Sequence, residues 1–201
     1  MLISMNKKQF KAKFKKLWQF IWEDDSIASW IVNIILAFVI IKFLIYPGLG
    51  LILSTEFPIV AVISSSMDHY PTKNASDTYH ICGHTWSKSE YKELDYDPPF
   101  ETYWGYCGEW YEKNTKITIN SFRDFSFKKG FSRGDIMVLY GKKPKDIKVG
   151  DVLVFKTNLR KEPVIHRVID KEQRNNKYFY TTKGDHNPMI LPKELYISED
   201  R

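Results

Sequence analysis

The chain has 201 residues, 43% hydrophobic and 27% charged, with a formal net charge of +6. That length admits one domain with a real core plus an anchoring segment, and the composition excludes a disordered chain. The positive excess is concentrated before an apolar run, and no zinc-finger, helix-turn-helix or RNA-binding pattern occurs, so a nucleic-acid partner is not expected.

Residues 1–26 form the basic segment, with Lys7, Lys8, Lys11, Lys13, Lys15 and Lys16 in "NKKQFKAKFKKLW". Residues 27–53, "IASWIVNIILAFVIIKFLIYPGLGLIL", then carry a single charge, Lys42. As a helix this run is long enough for a hydrocarbon core of ~30 Å, with Trp30 and Tyr46 placed as interface anchors. A buried core helix would show a polar face, and a cleavable signal peptide would be shorter and end in a small-x-small site. The run therefore reads as an uncleaved signal anchor. Lysines on its N-terminal side keep that end cytoplasmic, so residues 54–201 are expected outside.

In the exported part, residues 56–67 contain "IVAVISSSM", an apolar strand that breaks into serines. Residues 68–129 read as an aromatic-rich, irregular insertion whose Trp86, Tyr103, Trp104, Trp110 and Tyr111 make either a small core or a docking patch. Residues 134–182 then show short runs of strand residues, "DIMVLYG", "DVLVFKT", "PVIHRVID" and "KYFYTT", separated by turn material. The expected fold is mainly β: one N-terminal transmembrane helix followed by a mostly antiparallel β domain with a large irregular insertion.

Cys82 and Cys107 are the only cysteines. Outside the cell a disulfide is the default pairing. Free thiols, or a zinc set of His80, Cys82, His84 and Cys107, are the alternatives, the latter with a His-x-Cys-x-His spacing unlike common structural sites. Asn74-Ala75-Ser76 is a glycosylation sequon, a triplet that also arises by chance.

Hydrolysis by a serine needs a base in reach and donors for the oxyanion. His69, His80, His84 and His186 lie in turns or in the insertion. His166 instead sits inside the strand "PVIHRVI", with Arg167 beside it giving that strand a solvent- or ligand-facing side by alternation.

Five blocks, "SSSM", "RGDIMVLYG", "VGDVLVF", "VIHRVI" and "TTKGDHNP", follow an N-in anchor in that order. Together they resemble type I signal peptidases of the archaeal and endoplasmic-reticulum kind, from the anchor through Pro188. The resemblance implies that Ser66 is the nucleophile and His166 the general base, with Asp185 orienting the imidazole. It implies Ser64 and the Ser66 backbone N–H as oxyanion donors, and Met67 as an apolar wall near the substrate. A neutral imidazole accepts the serine proton at neutral pH. Neither a metal nor an organic cofactor is implied.

Two departures stand out. The family often carries a second aspartate six residues after the position of Asp185, where this chain has Leu191. It also continues into a further strand, whereas this chain stops at Arg201, which leaves open whether the sequence is C-terminally truncated. These features raise an alternative, a catalytically weak or inactive accessory subunit. The implied substrates are signal peptides of secretory preproteins, bound by β-strand addition. The implied surroundings are the lipid bilayer and the protein translocation machinery. The aromatic insertion and the histidine base favour an archaeal plasma membrane, with the endoplasmic reticulum membrane as the alternative.

Overall fold

The structure is a computed structural model describing residues 7–93, 100–157 and 160–199. Parts of the basic segment (1–6) and of the expected insertion (94–99), and the last two residues, lie outside the described residues. The chain divides into two compact units, one ending at Pro58 and the other beginning at Ile59.

The first unit is helical. Helix α1 spans Lys7–Trp22. After a short break, Ser26 caps helix α2, Ile27–Ile40, by accepting from the Ser29 backbone N–H at 3.2 Å. The helix widens to a π turn over Ile41–Ile45 and continues as α3, Tyr46–Ile52. The widening has a local cause. Pro47 lacks an N–H and its ring crowds the preceding turn, and the Tyr46 N–H just before it bonds Ile41 O, five residues back. Together Ile27–Ile52 form a helix long and apolar enough to cross a membrane. Lys42 lies over the rings of Phe38 and Phe43, at 5.6 and 5.5 Å from their centroids.

The second unit is mainly β and its described sheets are antiparallel. Strand β1 (Ile59–Ala61) pairs with β5 (Ile136–Val138) in a two-stranded ribbon. Strands β2 (Thr72–Lys73), β3 (Tyr79–Ile81) and β4 (His84–Trp86) form a small meander. Its β3–β4 turn has both central residues, Cys82 and Gly83, at positive φ, as a tight hairpin requires. The main sheet runs β6 (Val152–Thr157), β7 (Arg160–Arg174), β8 (Lys177–Lys183), β9 (Ile197–Ser198). Asn175 and Asn176, also at positive φ, make the β7–β8 turn.

The stretch expected to be irregular is built differently. Besides the small meander it contains helices α4 (Lys88–Glu93), α5 (Phe100–Asn114) and α6 (Ile119–Arg123). In α5 the residues Phe100, Tyr103, Trp104, Cys107 and Tyr111 are buried, an i, i+3, i+4, i+7, i+11 stripe that marks one helical face. That stripe packs with Ile81, Ile117, Phe122 and Ile169 into a single aromatic core. Ile169 comes from β7, at a point where the β7–β8 register shifts. The aromatics therefore form a core shared with the main sheet, and a disulfide joins Cys82 to Cys107 across 5.4 Å between Cα atoms. Both thiols of the tetrahedral set considered for zinc are thereby occupied.

Candidate active site

After β1 the chain stays on the β5 ribbon for one more bond, Val62 N–H to Asp135 O at 2.9 Å, and then turns. Three backbone bonds hold the turn. Asp68 N–H donates to Ser65 O, Phe131 N–H to Met67 O, and His186 N–H to Ser66 O at 2.9 Å. Ser66 is partly exposed and its Oγ lies 3.2 Å from Ser64 Oγ. Met67 has a different place from the one expected. It is 1% exposed and packs with Val62 and Phe131, so its side chain pins the turn from beneath and offers no wall to a substrate. Gly130, at φ +71°, lets the neighbouring segment approach, because a Cβ there would sit 2.5 Å from Met67 O.

His166 is presented by the middle of β7, opposite Leu153 of β6, and is buried. Its Nδ1 lies 2.5 Å from Glu194 Oε1, at ion-pair distance though without hydrogen-bond alignment. Glu194 is fully buried and closes a 3₁₀ turn, Pro192–Glu194. Its other oxygen accepts the Leu191 backbone N–H at 2.7 Å, while its own N–H donates to Leu191 O at 2.9 Å. The residue standing where the family often has an aspartate thus supplies the backbone that holds a glutamate three residues later.

With Nδ1 turned to Glu194, the other ring nitrogen faces the serine turn. A methyl group on Gly184 would lie 2.9 Å from His166 Nε2 and 2.7 Å from Ser66 O. Gly184 therefore sits between the two, and only a residue without Cβ allows this approach. No Ser66–His166 hydrogen bond is formed among the described residues.

Asp185 occupies a separate centre. It is completely buried, and its carboxylate accepts from Arg167 Nε (2.9 Å) and Nη2 (2.7 Å), from Tyr111 O–H (3.1 Å) and from His69 Nε2 (2.9 Å). Burial by itself would raise its pKa, but Arg167 and His69 outweigh it and hold the carboxyl well below the usual range. Arg167, expected to face solvent or ligand, is instead 0% exposed. Its remaining N–H groups donate to the carbonyls of Ser126, Gly150 and Phe127 at 2.8–3.0 Å, and its guanidinium lies 4.7 Å from the centroid of the Phe122 ring. A charge with every donor matched and a carboxylate beside it tolerates full burial.

The former insertion forms much of this centre. His69 stacks on Tyr103 at 3.5 Å, the Tyr103 hydroxyl donates to Asp185 O at 3.0 Å, and Cys82 N–H donates to His186 O. Burial lowers the pKa of His69, against the opposing pull of Asp185. His186 is buried too, bonding Asp68 O through Nδ1 and Thr72 Oγ1 through Nε2. Lys183, which pairs with Arg167 across β7 and β8, is fully buried. It donates to Gly184 O and lies 4.8 Å from the centroids of Trp110 and Tyr111, and burial lowers its pKa to about 8.

Sequence reasoning named Ser66, Ser64 and His166; the fold sets Ser64 Oγ beside Ser66 Oγ and brings the Ser66 backbone and His166 Nε2 against Gly184, whereas Asp185, expected to orient that imidazole, meets Arg167 and His69. It missed Glu194, whose signal was the short "LPKE" run, a proline-led turn with a carboxylate three residues after its first residue. It also missed Lys183 and the pairing of Arg167 with Asp185.

Part of the chain resembles known proteins. The chain is 37% identical over 79 residues to the signal peptidase complex catalytic subunit SEC11 of Candida tropicalis, covering 37% of this chain and 47% of that protein. Against the SEC11 subunit of Zygosaccharomyces rouxii it is 32% identical over 82 residues, 38% of this chain and 48% of that one. Over little more than a third of its length, the chain is similar to signal peptidase catalytic subunits. The subunit of Clavispora lusitaniae agrees at 38% identity over 64 residues, 32% of this chain and 38% of its own length. The chain spans about half the length of the curated relatives it matches. No protein-family model matches the chain, and no solved structure matches it. These relatives are fungal, and nothing in them supports the archaeal membrane expected from the aromatic insertion and the histidine base.

Proposed function

We propose that this chain is a membrane-bound serine endopeptidase that removes signal peptides from exported preproteins, with Ser66 as nucleophile, His166 as general base and Glu194 as the carboxylate behind the base. The observation that carries the reading is the posture of His166. Glu194 engages Nδ1, which leaves Nε2 turned toward Gly184 and the Ser66 turn.

In the reaction, Ser66 Oγ attacks the scissile carbonyl as His166 Nε2 takes its proton. The Ser64 hydroxyl and the Ser66 N–H stabilise the developing oxyanion. The imidazolium, steadied by Glu194, then protonates the leaving amine and an acyl-enzyme on Ser66 remains. Water, deprotonated by the same nitrogen, hydrolyses that ester and restores the serine. Closure of the gap between Ser66 and His166 accompanies substrate binding, since such contacts tighten in the complex. Asp185 supports this centre at one remove. It anchors the 184–187 loop, whose His186 N–H holds the Ser66 carbonyl.

The substrate reading rests on the ribbon beside the site. Among the described residues β1 has a ladder partner only on its β5 side, and it runs directly into Ser64–Ser66. An extended peptide added to its other edge would bring its carbonyls past the serine. The fungal relatives and the disulfide favour the endoplasmic reticulum membrane, with this domain on the oxidising side. A buried carboxylate at His166 removes the main ground for an inactive accessory subunit, which was the loss of the second aspartate at Leu191.

The test is cleavage of an exported precursor by the detergent-solubilised chain. Ser66→Ala and His166→Ala should each lower kcat by about 10⁴-fold or more, with KM little changed. Cleavage that survives both substitutions would sink the assignment.

A further inference from the structure

The basic N-terminal helix has an exposed apolar face and a fixed attachment, and neither is used by the chemistry above. In α1 the side chains of Phe14, Leu17 and Trp18 are 57%, 54% and 52% exposed, and Trp22 is 70% exposed. With Ile21, they recur at i, i+3, i+4, i+7 and i+8, the spacing of one helical face. Phe14, Trp18 and Trp22 run along it with ring centroids 6.4 and 5.7 Å apart. Lys16 and Gln19 fall on the opposite side with Phe20, Lys13 and Lys15 flank the stripe, Lys11 stands at its N-terminal end, and no acidic residue interrupts the helix.

Its C-terminal end is built into the apolar helix. Ser29, itself fully buried, donates from Oγ to Phe20 O at 2.6 Å, and Asn33 donates from Nδ2 to Ile21 O at 2.9 Å. These are carbonyls of the last turn of α1, which have no partner within the helix. In hydrocarbon an unmet carbonyl costs several kcal/mol, so the two polar side chains of α2 matter most where water is scarce. Asn33 is six residues into the span, roughly 9 Å along its axis, which puts the end of α1 at the depth of an interfacial helix. The four-residue break, Glu23–Ser26, can extend at most about 14 Å, which keeps α1 close to the start of the span.

We propose that α1 is an interfacial helix that lies on the anionic leaflet at the N-terminal end of the span, aromatic stripe toward the acyl chains and lysines toward the phosphates. The partner is lipid because the face is only half apolar and its margins and back carry uncompensated lysines, the pattern of in-plane helices on acidic bilayers. The inference rests on the reading of Ile27–Ile52 as a span.

The test keeps the two apart. Full-length chain carrying Phe14→Cys, Lys16→Cys or Phe38→Cys is labelled without reductant with a bimane fluorophore. It is then reconstituted into phosphatidylcholine vesicles, with or without phosphatidylserine, that contain acyl-chain spin-labelled lipid. The label at 38 should be quenched in both vesicles. The label at 14 should lose most of its emission and that at 16 little. The loss at 14 should deepen with phosphatidylserine, and that increment should vanish in high salt or when Lys13, Lys15 and Lys16 are changed to Glu. Quenching at 38 with equal, weak quenching at 14 and 16 overturns the proposal and leaves α1 to solvent or a protein partner. Loss of quenching at 38 overturns the span reading and this inference with it.

Discussion

Asp185 and Glu194 are both fully buried carboxylates, nine residues apart, yet they are spent in opposite ways. Asp185 has Arg167 in a two-point contact, with Tyr111 and His69 filling the rest of its acceptor capacity. Glu194 ties one oxygen to a backbone N–H of its own turn and leaves the other for His166. A carboxylate saturated by a guanidinium is a structural clamp, whereas one with a single oxygen aimed at an imidazole can support proton transfer. Position in a motif does not distinguish the two roles, but the partner does.

That contrast can be broken by substitution. The largest effect should come from Asp185→Asn, which leaves Arg167 buried without its counter-charge. A loss of about 3–5 kcal/mol in unfolding free energy is expected, read by denaturant titration. If the variant folds normally and loses only kcat, the clamp assignment is wrong. Glu194→Gln keeps the acceptor for Leu191 N–H and should behave the other way, with kcat down about 10²–10⁴-fold and the melting temperature nearly unchanged. Unimpaired cleavage in that variant would return the third role to another group.

Next in size is the link between the β3–β4 turn and α5. Replacing Cys82 and Cys107 by Ser should cost about 2–4 kcal/mol of stability. Because Cys82 N–H holds His186 O, precursor cleavage should weaken in parallel.

The smallest effects are in pH. His69 is kept neutral by burial, while the unfolded imidazole binds a proton near ~6.5, so unfolding takes up protons below that value. Stability should therefore fall as pH drops below about 6.5, and His69→Phe should flatten that limb of a melting-temperature profile. Lys183 acts in a separate window. With its pKa lowered to about 8 in the fold, stability should rise as pH climbs from there toward the ordinary lysine range, a rise that Lys183→Met should abolish.

Much of the molecule follows from local pattern. The anchor reads off as an uninterrupted apolar run, and the strands of the main sheet as short Val, Ile and Tyr segments between turn residues, because both signals repeat along the chain itself. Ser66 and His166 were singled out through the ordered motifs around them. The helical stripe of α5 was also present, at i, i+3, i+4, i+7, but its density of aromatics and its setting among polar turns made a helix hard to tell from loop.

By itself, then, the sequence determined the apolar helix and the mainly β second unit, and its motifs singled out a serine and a histidine that both lie against Gly184. Only the tertiary structure decided which carboxylate each histidine meets, that Arg167 is buried rather than exposed, and that the aromatic segment buttresses the Asp185 loop. The physical reason is that ion pairs and buried hydrogen bonds join residues far apart along the chain, 116 positions for His69 and Asp185, and no local periodicity encodes such a contact. The opposite fates of Asp185 and Glu194 are set by which cation or imidazole the fold brings to each.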